Sequence, residues 1–89
     1  MEAREILLTG RLGGDSLPEW VSHRARLLNL AGWLSRQGSQ RASIVVVGAS
    51  AMLEAMEVSC SLGPADVMVE TIRSQPYQLD QQPEGFSIR

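Results

Sequence analysis

Trp33-Leu34-Ser35-Arg36-Gln37-Gly38-Ser39-Gln40-Arg41-Ala42-Ser43-Ile44-Val45-Val46-Val47-Gly48 joins two apolar runs through a polar segment. Its second half holds Ile44-Val45-Val46-Val47, a β-branched run of the kind that packs well on a pleated surface covered on both sides. Its middle, Gln37-Gly38-Ser39-Gln40, is polar and carries a glycine, the composition of a turn. Trp33-Leu34 open a shorter apolar run before it. Two strands joined by a polar turn make a hairpin, with Ala42 to Gly48 as the buried central strand.

Outward from the hairpin the periodicity changes. Ser50 stands where a helix cap belongs, and Leu53, Met56 and Cys60 follow at i, i+3 and i+7 with Met52 adjacent. Gly63-Pro64 ends that helix at about Leu62. Val67 and Val69 then alternate as in a half-exposed strand, and the apolar phase slips to Ile72, which predicts a bulge. Gln75 to Glu84, with Pro76 and Pro83, reads as loop, and Gly85 to Arg89 as a last short strand. In the other direction, Leu17, Val21, Ala25 and Leu28 form one apolar stripe, with Trp20, Leu27 and Ala31 beside it. That helix opens at Ser16-Leu17-Pro18-Glu19, where Ser16 serves as cap, Glu19 completes a capping box and a proline is tolerated in the first turn. Gly32 is its expected stop. Before it, Glu5 to Leu12 is a strand followed by Gly13-Gly14. The order is strand, helix, strand, strand, helix, strand and a short terminal strand. This is the ferredoxin-like βαββαβ pattern of the α+β class, with two helices on one face of a mainly antiparallel sheet.

The bulk properties bound the function. At 89 residues the chain has room for one domain, read here as 1–89. A hydrophobic content of 44 % is too high for a disordered chain. Ten acidic and eight basic residues are scattered without a run of one sign and give a net charge of -2. That balance offers no footprint for nucleic acid or an anionic membrane. No apolar stretch approaches the ~20 residues that span a bilayer. The start Met1-Glu2-Ala3-Arg4-Glu5 lacks the basic-then-apolar pattern of a secretory signal, and one cysteine, Cys60, cannot form an internal disulfide. A cytoplasmic location is the expectation. No zinc-ligand spacing, Gly-x-x-x-x-Gly-Lys nucleotide loop or Ser/His/Asp arrangement is present, so no metal or cofactor is expected.

Five segments in order resemble the acylphosphatase family: Leu8-Thr9-Gly10-Arg11-Leu12-x-Gly14, Leu17-x-x-Trp20-Val21, Leu28-x-Leu30-x-Gly32-Trp33-Leu34, Gly63-Pro64, and Gly85-Phe86-Ser87-Ile88-Arg89. They extend over nearly the whole chain. The resemblance implies a hydrolase of carboxyl phosphates that uses no metal and no covalent intermediate. In that family a loop after the first strand holds the phosphoryl group with backbone N–H groups and a helix N-terminus. An arginine at the start of the helix clamps the phosphate, and an asparagine on the second strand orients the attacking water.

Carried over residue by residue, the catalytic positions are changed. The family's loop resembles Gly-Arg-Val-Gln-Gly-Val-x-Phe-Arg; here it reads Gly10-Arg11-Leu12-Gly13-Gly14-Asp15-Ser16-Leu17-Pro18. The arginine position is Pro18, which supplies neither a guanidinium nor a backbone N–H. The asparagine position, after Gly-Trp-x-x, is Arg36. Asp15 adds a carboxylate that opposes an anion.

The favoured reading is a fold that has lost acyl phosphate hydrolysis and serves as a non-catalytic binding or structural module. Arg11, Gly13, Gly14, Ser16 and Arg36 are its candidate anion-binding residues. Phosphate, another small anion or a protein partner is its expected ligand. The alternative is an active acylphosphatase with a rebuilt site, in which Arg36 clamps phosphate and Ser16 or Gln37 orients water. For Gly13-Gly14 the plainer reading is a tight turn. For Arg36 it is a solvated side chain or a partner of Asp15. His23 lies among polar neighbours without a partner for catalysis, and Cys60, Trp20, Trp33, Met52 and Met56 read as packing residues.

Overall fold

The branched run Ile44–Val47 lies inside strand β3 (Arg41–Gly48), which sits at the middle of the sheet. The computed structural model describes residues 2–89. The other elements are β1 (Glu2–Arg11), α1 (Ser16–Leu27), β2 (Ala31–Gln37), α2 (Ser50–Leu62), β4 (Met68–Pro76) and β5 (Phe86–Ile88). The sheet order is β4-β1-β3-β2-β5. The β1–β3, β1–β4 and β2–β3 pairs are antiparallel and β2–β5 is parallel. This is the ferredoxin-like arrangement that the sequence pattern implies.

Alternation along the strands separates the two faces. Ile6, Leu8, Leu34, Ile44 and Val46 point to the face covered by the helices, where they meet Leu17, Val21 and Ala25 of α1 and Leu53, Met56 and Cys60 of α2. All of these side chains are inaccessible or nearly so, and burial of each large one is worth about 1.5–3 kcal/mol. Burial pushes the Cys60 thiol up to about 12, which keeps it protonated and unreactive at neutral pH. Trp20 packs against this core and donates its indole N–H to the Ser59 carbonyl at 2.9 Å, which joins α1 to α2. Trp33 differs from the expectation. It projects from the face that no helix covers, edge-on to Tyr77 at 5.9 Å and with the Arg89 guanidinium 3.9 Å above its ring.

Several boundaries move for identifiable reasons. Helix α1 stops before Gly32. Asn29 takes φ +57, its N–H bonds to the Arg26 carbonyl, and the Leu30 N–H bonds to the Ala25 carbonyl. That is a Schellman end with asparagine in the glycine's place. Gly32 instead lies in β2 at φ +143, where a Cβ would stand 1.8 Å from the Val45 carbonyl oxygen. Strand β1 begins at Glu2, and β4 runs through Gln75 and Pro76, both expected to be loop, because they pair with Glu5 and Arg4. A proline there is tolerated because β4 is an edge strand. The predicted slip is present: Thr9 pairs Thr71 and Gly10 pairs Val69, so Glu70 is the extra residue of a bulge. Ser50 is the first residue of α2 rather than its cap; Ala49 holds the cap position, and the Ser50 hydroxyl donates to Glu2.

Candidate functional site

The connection from β1 to α1 is fastened at its entry by the hairpin turn. The Gly10 N–H bonds to the Gln40 carbonyl at 3.0 Å and the Leu12 N–H to the Ser39 carbonyl at 2.8 Å. Leu12 is fully buried and anchors the loop to the core. The chain then turns at Gly14, which takes φ +88, a left-handed value that suits glycine. Asp15 holds the cap position of α1 and its side chain makes no capping bond. Among the described residues the N–H groups of Gly13, Gly14, Asp15, Ser16 and Leu17 have no acceptor. Free N–H groups in succession at a helix start are what an anion cradle is made of.

Arg36 reaches this loop from β2, as its strand position implied. Its partner is not Asp15. The Nη1 group donates to the Leu12 carbonyl at 3.2 Å and to the Gly14 carbonyl at 2.5 Å. A trans peptide points its N–H opposite to its C=O. The N–H groups of Gly13 and Asp15 share peptide units with those two carbonyls, so they point away from the guanidinium. Arg36 and this part of the cradle therefore lie on opposite sides of the loop backbone. Pro18 completes the arrangement. It sits in the first turn of α1 and brings no N–H back towards Gly14, whose carbonyl takes its hydrogen from Arg36 instead. Its ring lines a shallow groove with Glu19, Ser22, Arg26 and Ile88, between α1 and β5.

The remaining candidates divide. Ser16 is the first residue of α1, not its cap, and forms no capping box with Glu19. Its hydroxyl donates to the Asp66 carboxylate at 2.7 Å, so it ties the helix start to the corner before β4. Asp66 is a site residue that sequence reasoning missed, since nothing local marks a partner this far along the chain. The structure thus brings Gly13, Gly14, Ser16 and Arg36 together, with Asp15 and Asp66 as flanking carboxylates. Arg11 and Gln37 lie elsewhere. Arg11 lines a cleft with Thr9, Gly10, Gln40, Arg41 and Glu70. Gln37 lines a cleft on the uncovered sheet face. Among the described residues no group of three or more His, Cys, Asp or Glu side chains is placed to hold a metal ion. No described helix is long and apolar enough to cross a membrane.

The acylphosphatase family model matches residues 4–88, nearly the full chain. The chain belongs to the acylphosphatase family. It is similar to an acylphosphatase of Acidiphilium cryptum, at 35 % identity over 82 residues that cover 88 % of this chain and 90 % of the relative. It is also similar to one of Rhizobium etli, at 28 % identity over 87 residues, covering 98 % of this chain and 93 % of the relative. The acylphosphatase of Bacillus subtilis superposes with a TM-score of 0.92 at 24 % identity, covering 100 % of this chain and 99 % of that one. At that identity the superposition establishes the acylphosphatase fold.

Proposed function

We propose that this acylphosphatase-family chain does not hydrolyse acyl phosphates and acts as a non-catalytic module, with weak affinity for phosphate or a similar small anion at the loop N–H groups of residues 13–17. One observation carries the reading: the Arg36 guanidinium is engaged by the carbonyls of Leu12 and Gly14. Both bonds come from Nη1 and turn the side chain to the carbonyl side of the loop. To clamp a phosphate held by the Gly13 and Asp15 N–H groups on the opposite side it would have to leave both, and each loss of a bond from a charged donor costs about 1.5–3 kcal/mol. The other groups needed for a rebuilt site are also committed. The Ser16 hydroxyl is held by Asp66, and Gln37 sits in a different cleft. Nothing at Pro18 offsets the charge that develops on a transferred phosphoryl group, and loss of one such group costs on the order of 10²–10³ in rate.

The test is hydrolysis of benzoyl phosphate by the wild-type chain beside a Pro18→Arg, Arg36→Asn double variant. The wild type is expected at the uncatalysed rate, and the double variant to gain measurable turnover. Turnover by the wild type, lost on Arg36→Ala, overturns the reading in favour of the rebuilt site.

A further inference from the structure

The eight cationic side chains are all arginine; the sequence has no lysine. Four have evident partners. Arg4 pairs with Glu2 and Glu57, Arg24 lies over Trp20, Arg89 lies over Trp33, and Arg36 holds the loop carbonyls. Arg11, Arg26, Arg41 and Arg73 form no ion pair among the described residues. Three of these four gather in one region. Arg41 and Arg73 line one cleft, Arg11 and Arg41 the next, and the two clefts share Thr9 and Arg41.

The first cleft lies on the sheet face that no helix covers. Leu7 and Thr9 project to that face because Ile6 and Leu8 project to the helices. Arg73 is directly opposite Leu7 on β4, and Arg41 directly opposite Thr9 on β3. The two side chains therefore start on either side of β1, about 10 Å apart across the strands and about 7 Å apart along them, with the half-buried Leu7 beside Arg73 and Thr9 beside Arg41. Gln37 adds an amide beside Arg41, which it pairs in register. The carboxylate next in register, Glu5, takes its hydrogen bonds from Ser43 at 2.8 Å and Gln75 at 2.8 Å, and pairs with neither arginine. The cleft has a volume of about 240 Å³, just below the ~300 Å³ at which pockets for drug-sized ligands begin.

We propose that this cleft binds a small organic anion, with a carboxylate between Arg41 and Arg73 and an apolar body against Leu7. Two arginines are suited to the charge because their planar donors match a carboxylate in pairs. The apolar floor is suited to the rest, because a bare inorganic ion leaves Leu7 uncovered. The site is separate from the loop, so it stands whether or not the chain hydrolyses anything.

The test is a titration of the full chain with sodium benzoate, against sodium chloride at equal ionic strength, read by NMR at the Leu7 methyls and at Nε of Arg41 and Arg73. Saturable shifts at all three groups are expected. Arg41→Gln or Arg73→Gln should each raise the apparent Kd roughly tenfold, and Arg26→Ala, on α1 away from the cleft, should leave it unchanged. Both glutamine variants replace exposed side chains, and the undisturbed remainder of their spectra verifies folding. Shifts confined to the amides of residues 13–17, linear shifts without saturation, or equal binding of inorganic phosphate would each overturn the proposal.

Discussion

Arg4 and Arg36 mark opposite ends of the same sheet, and they are held in opposite ways. At the Arg4 end the guanidinium meets two carboxylates, Glu57 at 2.7 Å and Glu2 at 3.3 Å, which also accept from Ser74 and Ser50 respectively. At the Arg36 end it meets two neutral carbonyls of the loop. The first arrangement joins β1 to α2 through charge and must respond to acid. The second joins β2 to the loop through groups that do not titrate. An arginine beside a loop of free N–H groups can thus serve as a structural staple, and its partners reveal which role it has.

The largest effect is expected at Gly10, where the loop leaves β1. There φ is +147 and a Cβ would stand 2.0 Å from the Met68 carbonyl oxygen. Gly10→Ala is expected to destabilise by about 3 kcal/mol or more, measured by urea unfolding, because the loop entry and the bulge must both move. Next is Arg36→Ala, which leaves two loop carbonyls without their donor. A cost of about 1–2 kcal/mol is expected, the same at pH 4 and pH 8. A cost that falls away in acid would mean that a carboxylate, not the carbonyls, holds Arg36. The smallest effect is at the other end. Hydrogen bonding from Ser74, aided by the bond and charge of Arg4 and opposed by burial, holds the Glu57 carboxyl below its ordinary value of 4.5. A carboxyl lowered in the folded state stabilises above its unfolded pKa and loses that contribution as pH falls through the folded one. Glu57→Gln should therefore cost about 0.5–1 kcal/mol at pH 7 and progressively less below pH 4.5.

The regular elements were legible because each has a local signal. The branched run at Ile44, the i, i+3, i+7 stripe of Leu53, Met56 and Cys60, and the phase slip between Val69 and Ile72 all have the structure their spacing implied. What failed were assignments made from residue type at an end. Ser16 and Ser50 read as caps, yet both hydroxyls bond carboxylates far along the chain, and Asn29 ended α1 where a glycine was expected. The same limit applies at the candidate site. The approach of Arg36 to the loop follows from its strand position. That it would choose the carbonyls of Leu12 and Gly14 over Asp15 depends on the directions of peptide groups, which residue identities do not record.

The sheet order has a consequence for how the molecule assembles. Strand β1 lies between β3 and β4, so the first strand of the chain has no partner until distant segments arrive. Such non-local pairing slows folding, because loop closure precedes its reward. Among the described residues the β2–β3 hairpin is the one strand pair with a short connection. It needs no other strand, and it carries both Arg36 and the Ser39-Gln40 turn that receives β1. The groups that hold the loop therefore need only a local pairing, whereas the loop can close on them only once β1 has met β3.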